Sequence, residues 1–266
     1  MTKEPDMNDL LEDALTGGNL LSGVTKGKES HPRRTLVYGT DGIGKSTFAN
    51  SFPNPIFIRA EDRLDHIDCH KFPLLDSTQT ALKQLTALGQ EDHDYKTVVL
   101  DSGDWYESII HAEIAKARNK DSIADIGFQA GYEAAVVYWQ KLLDGFDWLR
   151  KQKSIEVVII THAIIININD TNGDSYAQYA PKLHKHASAL LRSWVDEILF
   201  IRYKTYTKTK GEGFKKREVG VGSGERIILT AARPGHVAKN SCDGLPPELS
   251  LDYDEYIKYF KETTNG

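Results

Sequence analysis

The eight residues GTDGIGKS at positions 39–46 constrain this chain more than anything else in it. They fit G-x-x-x-x-G-K-[ST] in full, after an apolar run that reads as a strand and before a segment that reads as a helix. Glycines at these places let successive backbone N–H groups turn inward and surround an anion. The start of the following helix adds positive potential. The pattern predicts a phosphate-binding loop built from Gly39, Thr40, Asp41, Gly42, Ile43, Gly44, Lys45, Ser46 and Thr47. Lys45 would reach the β- and γ-phosphates of a nucleoside triphosphate, and Ser46 would ligate Mg2+.

Such a loop belongs at the edge of a sheet, and the hydrophobic pattern supplies one. Strand candidates lie at 35–38, 56–58, 97–100, 157–161 and 198–203. Helical segments at 45–50, 78–88, 104–116 and 132–151 separate them. This alternation predicts βαβ units and a mainly parallel sheet flanked by helices. From residue 198 onward, ILFIRYKTYTKTKGEGFKKREVGVGSGERIILTA alternates at period two around glycine-containing turns, which predicts antiparallel hairpins toward the C-terminus. Residues 1–30 are punctuated by glycines and are expected to form a weakly ordered lead-in, with residues 31–266 as the folded domain.

Composition narrows the function. With 266 residues, 40% of them hydrophobic and 27% charged, the chain has an ordinary globular make-up. Two cysteines, Cys69 and Cys242, make no disulfide framework, so a reducing cytoplasm is the expected compartment. The first residues are acidic and polar rather than signal-like, and the run at 157–168 is interrupted by Thr161, His162 and Asn167, too short for a membrane span. A net charge of −5 means that any nucleic-acid contact must use a local basic patch.

A phosphate loop that handles a triphosphate needs an acidic residue at the end of another strand, holding the metal's water shell. YKTVVLDSGDWY offers Asp101 after the apolar run 97–100, with Asp104 or Ser102 left to cap the next helix. NPIFIRAEDRLD ends a second run in Glu61 and Asp62, and there the alternative is a salt bridge to Arg59 or Arg63. In VVIITHAI, His162 preceded by Thr161 closes the strand expected between those of the loop and Asp101, where a polar side chain can sense the γ-phosphate.

Together 39–47, Glu61, Asp101 and Thr161-His162 resemble the phage nucleotide-binding proteins of the RecA/RadA superfamily, over about residues 33–249. The resemblance implies a RecA-like P-loop NTPase core, ATP and Mg2+ as cofactors, single-stranded DNA as partner, and a homo-oligomer in ring or filament form. Several such phage proteins are single-strand annealing or recombination ATPases encoded beside a single-strand DNA-binding protein. AAA+ ATPases usually carry a glutamate after the metal-binding aspartate; here that position is Ser102, and the resemblance makes Glu61 the residue that orients the attacking water. VAKNSCDGLPPEL is similar to the segment whose basic residues reach a neighbouring subunit's γ-phosphate, which assigns Lys239 that role, while Ser241 replaces the second basic residue.

Two segments are candidates for strand binding, one by aromatic faces beside cations and the other as a positive ribbon that would track a phosphate backbone. One holds Tyr176, Tyr179, Lys182 and Lys185; the other holds Lys215, Lys216 and Arg217 near a GEG turn. Charged hairpin tips also keep edge strands soluble. Two other function classes stay open. A P-loop nucleotide kinase would carry an arginine-rich lid, but between positions 89 and 131 only Arg118 occurs. A nucleotide-gated interaction protein with little turnover is favoured by Ser241.

Overall fold

A computed structural model describes residues 23–27, 31–169, 173–210, 217–242 and 244–261. The chain partitions into Met1–Ser30 and His31–Gly266, and the elements below belong to the second unit. In chain order these are β1 (Arg34–Gly39), α1 (Lys45–Asn50), β2 (Pro55–Arg59), β3 (His70–Lys71), α2 (Thr78–Gln90), β4 (Thr97–Asp101), α3 (Gly103–Ala117), α4 (Ala130–Lys153), β5 (Glu156–Ile168), β6 (Tyr176–Pro181), α5 (Lys185–Trp194), β7 (Glu197–Lys210), β8 (Arg217–Leu229), β9 (Glu248–Ser250) and α6 (Tyr253–Lys261).

The described strands form a nine-stranded sheet in the order β3-β2-β4-β5-β1-β7-β8-β9, with β6 paired to β5. Pairings from β3 through β7 are parallel, and β5–β6, β7–β8 and β8–β9 are antiparallel. This is the expected α/β class, a mainly parallel sheet flanked by helices with antiparallel hairpin strands toward the C-terminus.

The strands are apolar almost without interruption because both sheet faces are covered. Alternate residues divide between two cores. Leu36, Tyr38, Val98, Leu100, Val157 and Ile159 pack against α2, α3, α4 and α5 through Leu85, Ile110, Trp139 and Leu191. Val37, Phe57, Val99, Val158 and Leu199 pack on the other face against Phe48 and Phe52 of the α1 region and Tyr256 of α6. Tyr256 donates its hydroxyl to Glu197, which ties α6 to the foot of β7.

Two strands are much longer than their expected cores. β5 runs in the parallel sheet as far as His162, then continues to Ile168 as one arm of a hairpin with β6. β7 pairs with β1 as far as Ile201, then continues with β8 past an irregularity at Tyr203/Thr205. Residues 163–168 and 176–181 therefore form a β-ribbon. Since β5 and β7 flank β1, two ribbons extend beyond the carboxyl edge on either side of the strand that feeds the glycine-rich turn.

Candidate nucleotide-binding site

β1 delivers Gly39 between its neighbours His162 of β5 and Ile201 of β7. A Cβ on Gly39 would stand 2.5 Å from the Ile201 carbonyl oxygen, so the approach of β7 demands glycine. Gly44 has φ +104, which side-chain-bearing residues rarely adopt. Ile43 is fully buried and pins the turn to the core. Lys45 is also buried, its Nζ donating to the carbonyls of Gly39 at 3.1 Å and Thr40 at 2.9 Å. Burial lowers the Lys45 ammonium below its usual range, opposed by Asp41, Asp101, Asp104 and Glu61. Thr40, Asp41, Gly42 and Thr47 lie exposed along the rim.

Asp101 closes β4, and its Oδ2 accepts from Ser46 Oγ at 2.6 Å. Burial raises the Asp101 carboxyl above the usual carboxylate range and Glu61 adds to this, while Ser46, Lys45 and His162 oppose it. A buried carboxyl in that state gains from a cation. A hydroxyl beside a carboxylate is a hard oxygen donor set, suited to Mg2+ that keeps several waters and shares substrate phosphates. No group of three or more His, Cys, Asp or Glu poised for a metal occurs among the described residues. The donor set fits a nucleotide-borne Mg2+ rather than an all-protein cage.

Strand pairing puts Arg59 of β2 opposite Asp101, and both Ala60 and Glu61 donate their N–H groups to the Asp101 carbonyl, at 2.8 and 3.2 Å. Glu61 is thus anchored beside Asp101, and its charge is felt by both Asp101 and Lys45. Its carboxylate also pairs with the exposed Arg63 at 2.8 Å, so the salt-bridge alternative is realised in part. Asp62 turns outward to Arg59 at 3.1 Å.

β5 lies between β1 and β4, placing Thr161-His162 between the loop and Asp101. Asp104 is the residue that sequence reasoning missed. It does not cap α3, and neither does the Ser102 side chain. Instead it accepts from the His162 backbone N–H at 3.1 Å and from the ring at Nδ1, 2.9 Å away. The other ring nitrogen, Nε2, stands 3.3 Å from Asp41 in the glycine-rich turn. Burial would raise the Asp104 carboxyl, but His162 outweighs it and holds it below the ordinary range. Lys182 reaches Asp104 at 3.8 Å and donates its backbone N–H to the His162 carbonyl at 2.8 Å. A chain of contacts thus runs from Asp41 through His162 and Asp104 to the foot of the β5–β6 ribbon. The signal was present in DSGDW, but it was a carboxylate three residues beyond Asp101, indistinguishable from a cap.

Buried Thr161 Oγ1 has no hydrogen-bond partner among the described residues, and the Ser102 hydroxyl stands near enough to Asp104 to favour its charged form. Beside Asp104, a cleft of about 450 Å3 opens between α3 and the β6–α5 turn, lined by Trp105, Glu107, Lys182 and His184 among others.

The remaining expected residues scatter. Lys239 is engaged within its own chain: its Nζ donates to the carbonyls of Val195 at 2.6 Å and Arg192 at 3.2 Å, closing the end of α5. Its backbone pairs with Ile198, near the amino end of β7, whereas the glycine-rich turn is at the carboxyl end of β1. A role in a neighbouring subunit would first require both ammonium bonds to break. Tyr179 packs its ring on Phe200 with centroids 5.1 Å apart, so it serves the core rather than a base. Tyr176 lies on the β5–β6 ribbon, and Lys182 and Lys185 are exposed at its foot. Arg217 opens β8, while Lys215 and Lys216 lie outside the described residues. No described helix is long and apolar enough to cross a membrane.

A crystal structure of the RadB recombinase is similar, with 13% identity, a TM-score of 0.41, and coverage of 76% of this chain and 82% of that one. Comparison with curated protein sequences gives no match. A family model described as an AAA domain matches residues 31–242, which span β1 and its glycine-rich turn, Glu61, Asp101, His162 and Lys239. The chain belongs to the AAA domain family.

Proposed function

We propose that this chain is a Mg2+-dependent ATPase of the phage recombination or annealing type, acting on single-stranded DNA as a homo-oligomer. The observation that carries the reading is the convergence on one loop of two acidic strand ends, Asp101 bonded to Ser46 and Glu61 tethered to the Asp101 backbone. Phosphoryl transfer to water asks a protein for placement and electrostatics more than for covalent chemistry. Lys45 would exchange two neutral carbonyl acceptors for phosphate oxygens. Glu61 would leave Arg63 and orient water toward the γ-phosphate. Bound Mg2+, held by Ser46 and Asp101, would neutralise charge on the phosphate oxygens.

His162 and Asp104 would report the state of the γ-phosphate to the β5–β6 ribbon through Lys182. The two ribbons beside the loop supply the surfaces on which a strand would lie. Lys182 and Lys185 are the cations at the foot of one ribbon, and a partner single-strand DNA-binding protein would hand over the strand. Lys239 would join this scheme only in a neighbouring subunit's site, after its ammonium leaves the Val195 and Arg192 carbonyls. The test is phosphate release from ATP with and without oligodeoxythymidine, repeated with nucleoside monophosphates. Release stimulated by the oligonucleotide and abolished by Lys45→Ala is expected, whereas transfer to a monophosphate would refute the reading. A second reading, nucleotide-gated binding with little turnover, is favoured by the Glu61–Arg63 pair, and tight ATP binding without release would select it.

A further inference from the structure

The strand order gives the bound nucleotide a direction. Asp101 and Glu61 lie on the β4–β2 side of β1, so the γ-phosphate points there. The nucleoside end must then leave the loop toward β7, β8 and β9. On that side the face of Gly44 is walled by two side chains. A Cβ built on Gly44 would lie 2.6 Å from Arg226 Nη1 and 3.4 Å from Leu251 Cδ2. Arg226 belongs to β8, and Leu251 follows β9 and donates its N–H to the Arg226 carbonyl at 3.0 Å, so the two are held together.

Arg226 reaches the loop by donating from Nη1 to the Ile43 carbonyl at 3.4 Å, a long contact. Backbone N–H groups of an anion-binding turn face inward, which leaves carbonyls such as this one on its outer wall. Among the described residues Arg226 has no carboxylate partner, so most of its five N–H donors and its planar face are uncommitted. An apolar side chain beside a planar cation with no carboxylate partner suits an aromatic ring, and Gly44 is what lets that cation come so close to the loop.

We propose that Arg226 and Leu251, packed over Gly44, form the seat for the base of the bound nucleoside triphosphate. This rests on the nucleotide-binding reading above and adds which residues hold the nucleoside. Guanidinium planes stack on aromatic faces in a way that a lysine ammonium does not reproduce. The γ-phosphate chemistry on the other side of β1 is untouched by the seat.

The test compares ATP with inorganic tripolyphosphate, each with Mg2+, by calorimetric titration of the full chain and of Arg226→Ala and Arg226→Lys. Both variants should bind ATP about tenfold more weakly. Tripolyphosphate affinity should be unchanged, which also certifies that the loop is folded. Equal weakening for both ligands makes Arg226 a phosphate contact and overturns the proposal. So does unchanged ATP affinity, or rescue by lysine. Wild-type protein that binds tripolyphosphate as tightly as ATP removes the seat but keeps the phosphate loop. Binding of neither ligand removes the nucleotide reading itself.

Discussion

Glu107 offers a stringent test of the electrostatics around Asp104. It lies one turn into α3 at 7% exposure, and its Oε2 accepts from the His184 N–H at 2.9 Å. Oε1 accepts no hydrogen bond among the described residues, although the Trp139 indole N–H is near enough to favour the charged form. Burial dominates and, with Asp104 adding to it, pushes the carboxyl from 4.5 up to about 7. Between those two values the folded chain holds a proton that the unfolded chain has released, so stability falls as pH rises. The full difference corresponds to about 3 kcal/mol lost by pH 8. Glu107→Gln removes this liability, because a neutral amide has no charge to lose to burial while its oxygen still accepts from the His184 N–H. Urea unfolding of both proteins should agree at pH 4.5. The variant should become about 3 kcal/mol more stable at pH 8. Asp104, Lys182 and His184 also charge the surroundings, but they are common to both proteins and cancel in the difference. A stability difference that stays constant from pH 4.5 to 8 would refute the argument.

Other perturbations separate catalytic from structural residues. Asp101→Asn should leave nucleotide binding measurable and lower phosphate release by about 100-fold or more, read in a coupled phosphate assay. Lys239→Ala should cost about 1–3 kcal/mol in urea unfolding, since two carbonyls at the end of α5 lose a charged donor. A large loss of hydrolysis with no loss of stability would instead restore its role in a neighbour's site. Tyr179→Ala should destabilise by about 3–5 kcal/mol through lost packing on Phe200, with oligonucleotide affinity unchanged in the folded fraction. Replacing Lys182 and Lys185 together with alanine should lower affinity for oligodeoxythymidine and flatten its salt dependence by about one to two contacts' worth of slope.

Local order was legible wherever one short stretch carries its own reason. The run from Arg34 through Asn50 declares strand, turn and helix because its hydrophobic period changes at a cluster of glycines, and the helix at 45–50 appears as expected. The place of Asp101 at the end of β4 was legible because it closes a wholly apolar run. The β5–β6 ribbon was not, because Ile164 to Ile168 continues an apolar strand past the sheet, and its partner Tyr176–Pro181 is a short strand beyond a turn-rich stretch. β3 and β9 were missed for a similar reason: with two or three residues each, they exist by pairing with an edge rather than by propensity.

What the amino-acid order determined by itself was the anion-binding turn and the alternation that makes a parallel sheet, since both depend on neighbours along the chain. Only the folded sheet decided which distant residues stand beside that turn. Asp104 meets His162 across 58 positions, Arg226 meets Ile43 across 183, and Lys239 is spent on α5 rather than exposed at an edge. The physical reason is that strand order, not sequence spacing, sets which carbonyls and carboxylates come within hydrogen-bonding distance of a given cation, and strand order is a property of the packed core as a whole.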